Sequence, residues 1–423
     1  MPRFLSWTKI VLRTVLLFIF AASILAMSAP LLSDPIEKVR AYTRDIEFDY
    51  ASWMANALWV KWSNAVFGAE RYLQPTIEHD LVVEYMGLVQ EQNNTLAQVT
   101  RIYADPDVAD PKTSSAILRQ ELARINTRLD QVGSLAESIL QEQVTSVISA
   151  DGLALGGQPV PPVWYHTTDL PLALIVSPRS VIRQDANISL LPEMNIEQIV
   201  ALEEEVSKGL DVSALVTPVG GIGVYPTMIT TTSNLDWLSE VIAHEWIHNY
   251  LTLRPLGMSF DKNEQLRTMN ETTANLAGKE IGRQVLERYY PELLPAPVIE
   301  ASAQTNSTEE TTEAAPEFNF NQEMHGIRVK VDALLAAGKI EEAEKLMDNS
   351  RRVFLEHGYV IRELNQAYFA FHGAYADSPA GAAGEDPVGP AVRQLRDQST
   401  SLADFLQRIG RMTTFEELQQ AVE

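Results

Sequence analysis

The 423-residue chain contains no cysteine, which excludes disulfides and thiolate-bound metals and leaves the redox compartment without a signal from cysteine pairing. Basic residues are scarce: 33 Lys and Arg stand against 56 Asp and Glu, a net charge of −23. That balance cannot neutralise phosphates, so nucleic acid and anionic lipid surfaces are poor partners. Histidine is rare as well, at seven residues, so any two at metal-ligand spacing stand out. The most apolar run free of charge is at the N-terminus. Arg3, Lys9 and Arg13 lead into Thr14 to Leu32, which carries no charge at all. This length predicts a membrane-spanning helix, and the basic flank places the N-terminus in the cytoplasm. A cleaved signal peptide is the alternative, but Pro30 sits just past the best cleavage position. The expected location is the cell membrane, with a single pass and the bulk of the chain extracytoplasmic.

What is present is the run His244-Glu245-Trp246-Ile247-His248. Histidines at i and i+4 of a helix point the same way, one turn apart, and can hold one zinc ion between them. The glutamate after the first histidine lies beside the metal, where it can take a proton from an activated water instead of ligating. A chance HExxH arises in on the order of one chain in a hundred of this composition, so the context decides. Ser233 or Asn234 can cap the helix, with Asp236 three residues after Ser233 as in a capping box. Leu235, Leu238, Ile242 and Trp246 form a stripe for burial, and Pro255 and Gly257 end the pattern. A catalytic zinc usually takes three protein ligands. Glu271, separated from His248 by 22 residues and followed by a helical run, is the candidate for the third.

With Asn270-Glu271-x-x-Ala274 after the HExxH, the chain resembles the gluzincin class of zinc metallopeptidases, thermolysin-like enzymes, over residues 233–285. Its overall shape is also similar to uncharacterised bacterial aminopeptidase-like membrane proteins. The resemblance implies His244, His248 and Glu271 as ligands of one zinc per chain, Glu245 as general base, and a peptide or protein as substrate. Several members place an Asp four residues after the third ligand to bond a zinc-bound histidine. Here that position is Asn275, whose amide oxygen can accept the N–H without the charge. Such enzymes also present a Tyr or His to the oxyanion of the tetrahedral intermediate. Tyr368 and His372 are candidates, on an expected helix Tyr359–Tyr375 where Asn365, Tyr368, His372 and Tyr375 fall on one stripe. Packing is the competing reading of that stripe. Tyr225 is a further candidate, His325 and His357 are weaker ones, and His79 and His166 read as structural.

The expected fold class is α+β, mostly helical, with a small β-sheet preceding the HExxH helix and an N-terminal transmembrane helix. Residues 1–32 read as cytoplasmic N-terminus and anchor, 33–150 as a helical region and 151–298 as the metallopeptidase core. An acidic disordered linker over 299–322 and a C-terminal helical region over 323–423 follow. Tyr50–Phe67, rich in Trp and interrupted by Lys61, predicts a buried or interfacial helix. Gly220-Gly221-Ile222-Gly223-Val224-Tyr225 is either an edge strand to which a peptide could add, or a glycine-rich turn. Two rival functions stand beside the peptidase: a catalytically silent zinc-binding protein, and a helical scaffold or interaction protein at the membrane carrying a chance motif. Oligomeric state has no signature in the sequence.

Overall fold

The computed structural model describes residues 34–68, 72–104, 108–294, 318–359, 361–373 and 386–423. The proposed anchor at 1–32, most of the acidic stretch 299–322 and Tyr375 lie outside them. Two expectations are corrected. Among the described residues no helix is long and apolar enough to cross a membrane, so neither the N-terminal transmembrane helix nor the single-pass location is supported. The most tryptophan-rich helix, α2 (Tyr50–Phe67, after α1 at Pro35–Thr43), has 18 residues and turns its one charge inward. Lys61 is 3% exposed, whereas Trp59 and Trp62 are 67% and 55% exposed.

Two long helices, α3 (Pro75–Ala104) and α4 (Ala116–Ala150), pack together and lead into the strands. The first sheet has order β3–β2–β4 and is antiparallel throughout, with β2 (Leu172–Pro178) central. β3 is Ala186–Leu190, and β4 is Val212–Thr217. A capped helix, α5 (Ile196–Leu210), enters β4; Asn195 and Gln198 form a reciprocal capping box at its start. Five consecutive residues of β2 are buried, as expected of a strand covered on both faces. Leu174 and Val176 pack toward α5 and Val39 of α1, while Ala173 and Ile175 pack toward Ala367.

The second sheet has order β1–β6–β5: β1 (Tyr165–Thr167) runs parallel to β6 (Thr227–Ile229), and β5 (Gly221–Ile222) is antiparallel at the edge. The chain then enters α6 (Leu235–Thr252) and α7 (Glu264–Tyr289), which pack closely against each other. Their shared core takes residues from α3 and α4 and also from the last three helices, α11 (Val388–Gln398), α12 (Leu402–Ile409) and α13 (Phe415–Val422). Segments distant in sequence thus close around the HExxH helix. Arg396 of α11 forks onto both carboxylate oxygens of Glu280 on α7, at 2.8 and 3.0 Å.

Between them, α8 (Phe320–Ala336), α9 (Ile340–Glu356) and α10 (Gln366–His372) build a separate core around Met347, Phe354 and Phe369. α10 is shorter than the expected Tyr359–Tyr375. Gly358, with φ +85°, ends the preceding helix, and the Asn365 side chain accepts the Tyr368 N–H as an N-cap. Asn365 therefore caps the helix where the sequence pattern placed it on a helical stripe.

Candidate metal centre

α6 starts where a cap is available. Asn234 accepts the Trp237 N–H at 3.1 Å, while Ser233 donates its hydroxyl to Gln90 of α3. The expected apolar stripe is buried: Leu235, Leu238, Ile242 and Trp246 are 1–4% exposed. Each such side chain stabilises the docked helix by roughly 1.5–3 kcal/mol, which fixes its rotation and with it the direction of the histidines. α7 starts at Asn263, whose side chain accepts the Leu266 N–H at 2.9 Å. Glu271 therefore lies two turns inside the helix and not ahead of the helical run that follows it in sequence.

The two helices bring His244, His248 and Glu271 together, with one donor atom from each within 4.8 Å of the others. The Nε2 atoms of the two histidines are 3.0 Å apart. Glu271 Oε2 lies 3.4 Å from His248 Nε2 and 3.7 Å from His244 Nε2. A tetrahedral ion about 2.0–2.1 Å from each donor would hold them roughly 3.3 Å apart, so the three fit one ion. Glu271 Oε2 is buried and receives no hydrogen bond, an orphaned anionic oxygen aimed at both imidazoles. His248 Nδ1 lies 2.8 Å from Asn270 Oδ1. That contact is satisfied when Nδ1–H donates to the amide oxygen, which leaves the Nε2 lone pair facing the other donors.

The electrostatics agree with this fit. Burial works against a charge on His248, yet the Glu271 carboxylate overrides it and pushes the imidazole up to about 9. Burial would likewise raise Glu271, but His248 holds it below the ordinary carboxylate range. Both effects mean that the cluster attracts positive charge. Glu245, 7% exposed, is different: desolvation pushes it up to about 7, with His248 pulling down and Glu271 adding to the rise.

A cavity of about 640 Å³ opens onto these residues. Its walls include β5 and the neighbouring glycines, Trp237, Phe260 and Phe371, with Tyr50, Asn187 and Ser189 among its polar lining. β5 lies against Glu245. A Cβ at Gly221 would come 2.6 Å from Glu245 Oε1 and 2.9 Å from a Val241 methyl, so a larger residue there would displace the Glu245 carboxylate.

Tyr368 and His372 do not line this cavity; from α10 only Phe371 does. Burial pushes Tyr368 up to about 12 and His372 down to about 4, so both are neutral at pH 7. Tyr368 packs into the cores on either side of α10 and contacts the His372 ring, with centroids 4.3 Å apart. Tyr225 donates to the Pro162 carbonyl and stacks on Trp164. His79 pairs with Glu292, and His166 with Glu137. Asn275 lines the cavity, but the amide within hydrogen-bond distance of the His248 imidazole is that of Asn270. Sequence reasoning passed over Asn270 because it looked only at the position four residues after Glu271; its place immediately before that ligand was the available signal.

Comparison with family models, with curated proteins and with solved structures finds no match. The centre stands on its geometry. His244, His248 and Glu271, at HExxH-like spacing, form a group that could hold a metal ion.

Proposed function

We propose that the protein is a zinc-dependent peptidase of the gluzincin type. The observation that carries the reading is Glu245, a buried carboxylate raised to about 7, beside a two-histidine, one-glutamate cluster and open to a substrate-sized cavity. A donor set of two imidazoles and one carboxylate suits zinc. When bound, such an ion supplies Lewis-acid polarisation of a carbonyl and lowers the pKa of water. Glu245 accepts the proton from the attacking water and passes it to the leaving amine. Asn270 fixes the tautomer of His248. Edge strand β5 offers its backbone to an extended peptide beside Glu245, which accounts for the bare glycines there. A purely structural zinc site has no need of Glu245, which disfavours the silent-protein reading.

The test is zinc content together with digestion of a peptide library, with and without chelator. One zinc per chain and chelator-sensitive cleavage, restored by zinc, are expected. Zinc binding with no cleavage of any peptide would defeat the peptidase reading.

A further inference from the structure

We infer that Gly278 and Gly282 are positioning residues: they let α7 lie directly on the backbone of α6 and so set the spacing of the metal ligands. A Cβ at position 278 would stand 3.0 Å from the Glu240 carbonyl oxygen, 3.0 Å from His244 Cβ and 3.1 Å from His244 Cα. At position 282 it would stand 2.7 Å from the Glu240 nitrogen, 2.8 Å from its Cα and 3.1 Å from the Ser239 carbonyl carbon. Every one of these atoms is helix backbone or the root of a ligand side chain. No rotamer change can absorb the intrusion, so α6 and α7 would have to move apart.

The seam and the third ligand belong to one face of α7. Ala274, Gly278 and Gly282 repeat every four residues, and Glu271 lies seven residues, two turns, before Gly278. Two glycines inside one helix oppose helix formation, because alanine is better there. The close approach at His244 supplies the compensating reason. Metal donors must sit within about 0.2 Å of their ideal distances. A separation of α6 from α7 by a few tenths of an ångström would act on the gap between Glu271 and the two imidazoles before it dissolved the core.

This inference rests on the metal-binding half of the proposed function and not on peptide hydrolysis, so its readout is metal affinity in the full chain. Zinc affinity would be measured by chelator competition, and site geometry by the visible spectrum of the cobalt(II)-loaded protein. Gly282→Ala is expected to weaken zinc binding by about tenfold or more, and Gly278→Ala by less, each with an altered cobalt spectrum. Gly209→Ala on α5 is the control. Its Cβ would meet only the half-buried Tyr42 side chain, whose ring can turn aside, so the variant adds a helix methyl far from the metal centre without forcing two backbones apart. That variant is expected to fold and keep the wild-type zinc affinity and cobalt spectrum.

Wild-type affinity and spectrum in the folded α7 variants would overturn the inference. If Gly282→Ala does not fold, Gly278→Ala decides alone. Failure of both to fold while Gly209→Ala folds would make the seam a folding determinant and would also overturn it. Tight zinc binding without hydrolysis would count against the peptidase alone, and a wild-type chain that binds no zinc would defeat both.

Discussion

Two buried glutamates in this molecule behave in opposite ways. Glu137 on α4 and Glu245 on α6 are 4% and 7% exposed. Burial alone would raise both. At Glu137 the Lys61 charge and the His166 bond outweigh burial and hold the carboxyl at about 2. Lys61 Nζ donates at 2.6 Å, the Thr167 N–H at 2.8 Å, and the Thr167 hydroxyl makes a further bond. At Glu245 no Lys or Arg among the described residues forms an ion pair, and the carboxyl stands at about 7. The first carboxylate spends its charge joining α2, α4 and β1. The second is a buried carboxyl with a raised pKa that lines a cavity, the feature on which the proposed function rests.

That contrast can be broken at several points. The largest effect is expected at the ligands: Glu271→Ala and His244→Ala should abolish stoichiometric zinc binding, read by metal analysis after dialysis. Next is Glu137→Gln, which leaves Lys61 buried without its counter-charge. A loss of about 3–5 kcal/mol is expected in denaturant unfolding, with zinc affinity unchanged in the folded protein. An equal loss of zinc affinity would merge the two regions into one. Acid should sharpen the difference. The folded-state pKa of Glu137 is depressed from 4.5, so its contribution is full above that value and is lost as pH falls through about 2. The amount is on the order of 3 kcal/mol, and Glu137→Gln should flatten the wild-type decline in stability over that range. The smallest effect is expected for Asn270→Ala: zinc affinity weaker by about 10–100-fold, with the fold intact by circular dichroism.

Much of the centre was legible in the sequence because its parts are local. The i, i+4 histidines, the glutamate between them and the Leu235–Trp246 stripe all follow from one helix and its period. Glu271 was legible as a candidate by residue type, but the α7 boundary was not. Asn263 caps that helix two turns earlier, and nothing before the fold says which of several Asn will do so. Lys61 was read as a flaw in an apolar run. Its partner Glu137 lies 76 residues away, and no local pattern announces such a pairing. Tyr368 and His372 lie on α10, but the rotation of that helix on β2 and β4 presents Phe371 to the cavity. The pairing of Asn270 with His248 likewise depends on how α7 lies across α6, which only the packed helices define.

The central claim is that Glu245 serves chemistry while His244, His248 and Glu271 hold the metal. Glu245→Gln separates the two most directly, with zinc content and peptide hydrolysis measured on the same preparation. One zinc per chain with hydrolysis reduced by about 10²–10⁴-fold is the expected result. Hydrolysis at the wild-type rate in the zinc-loaded variant would contradict the account.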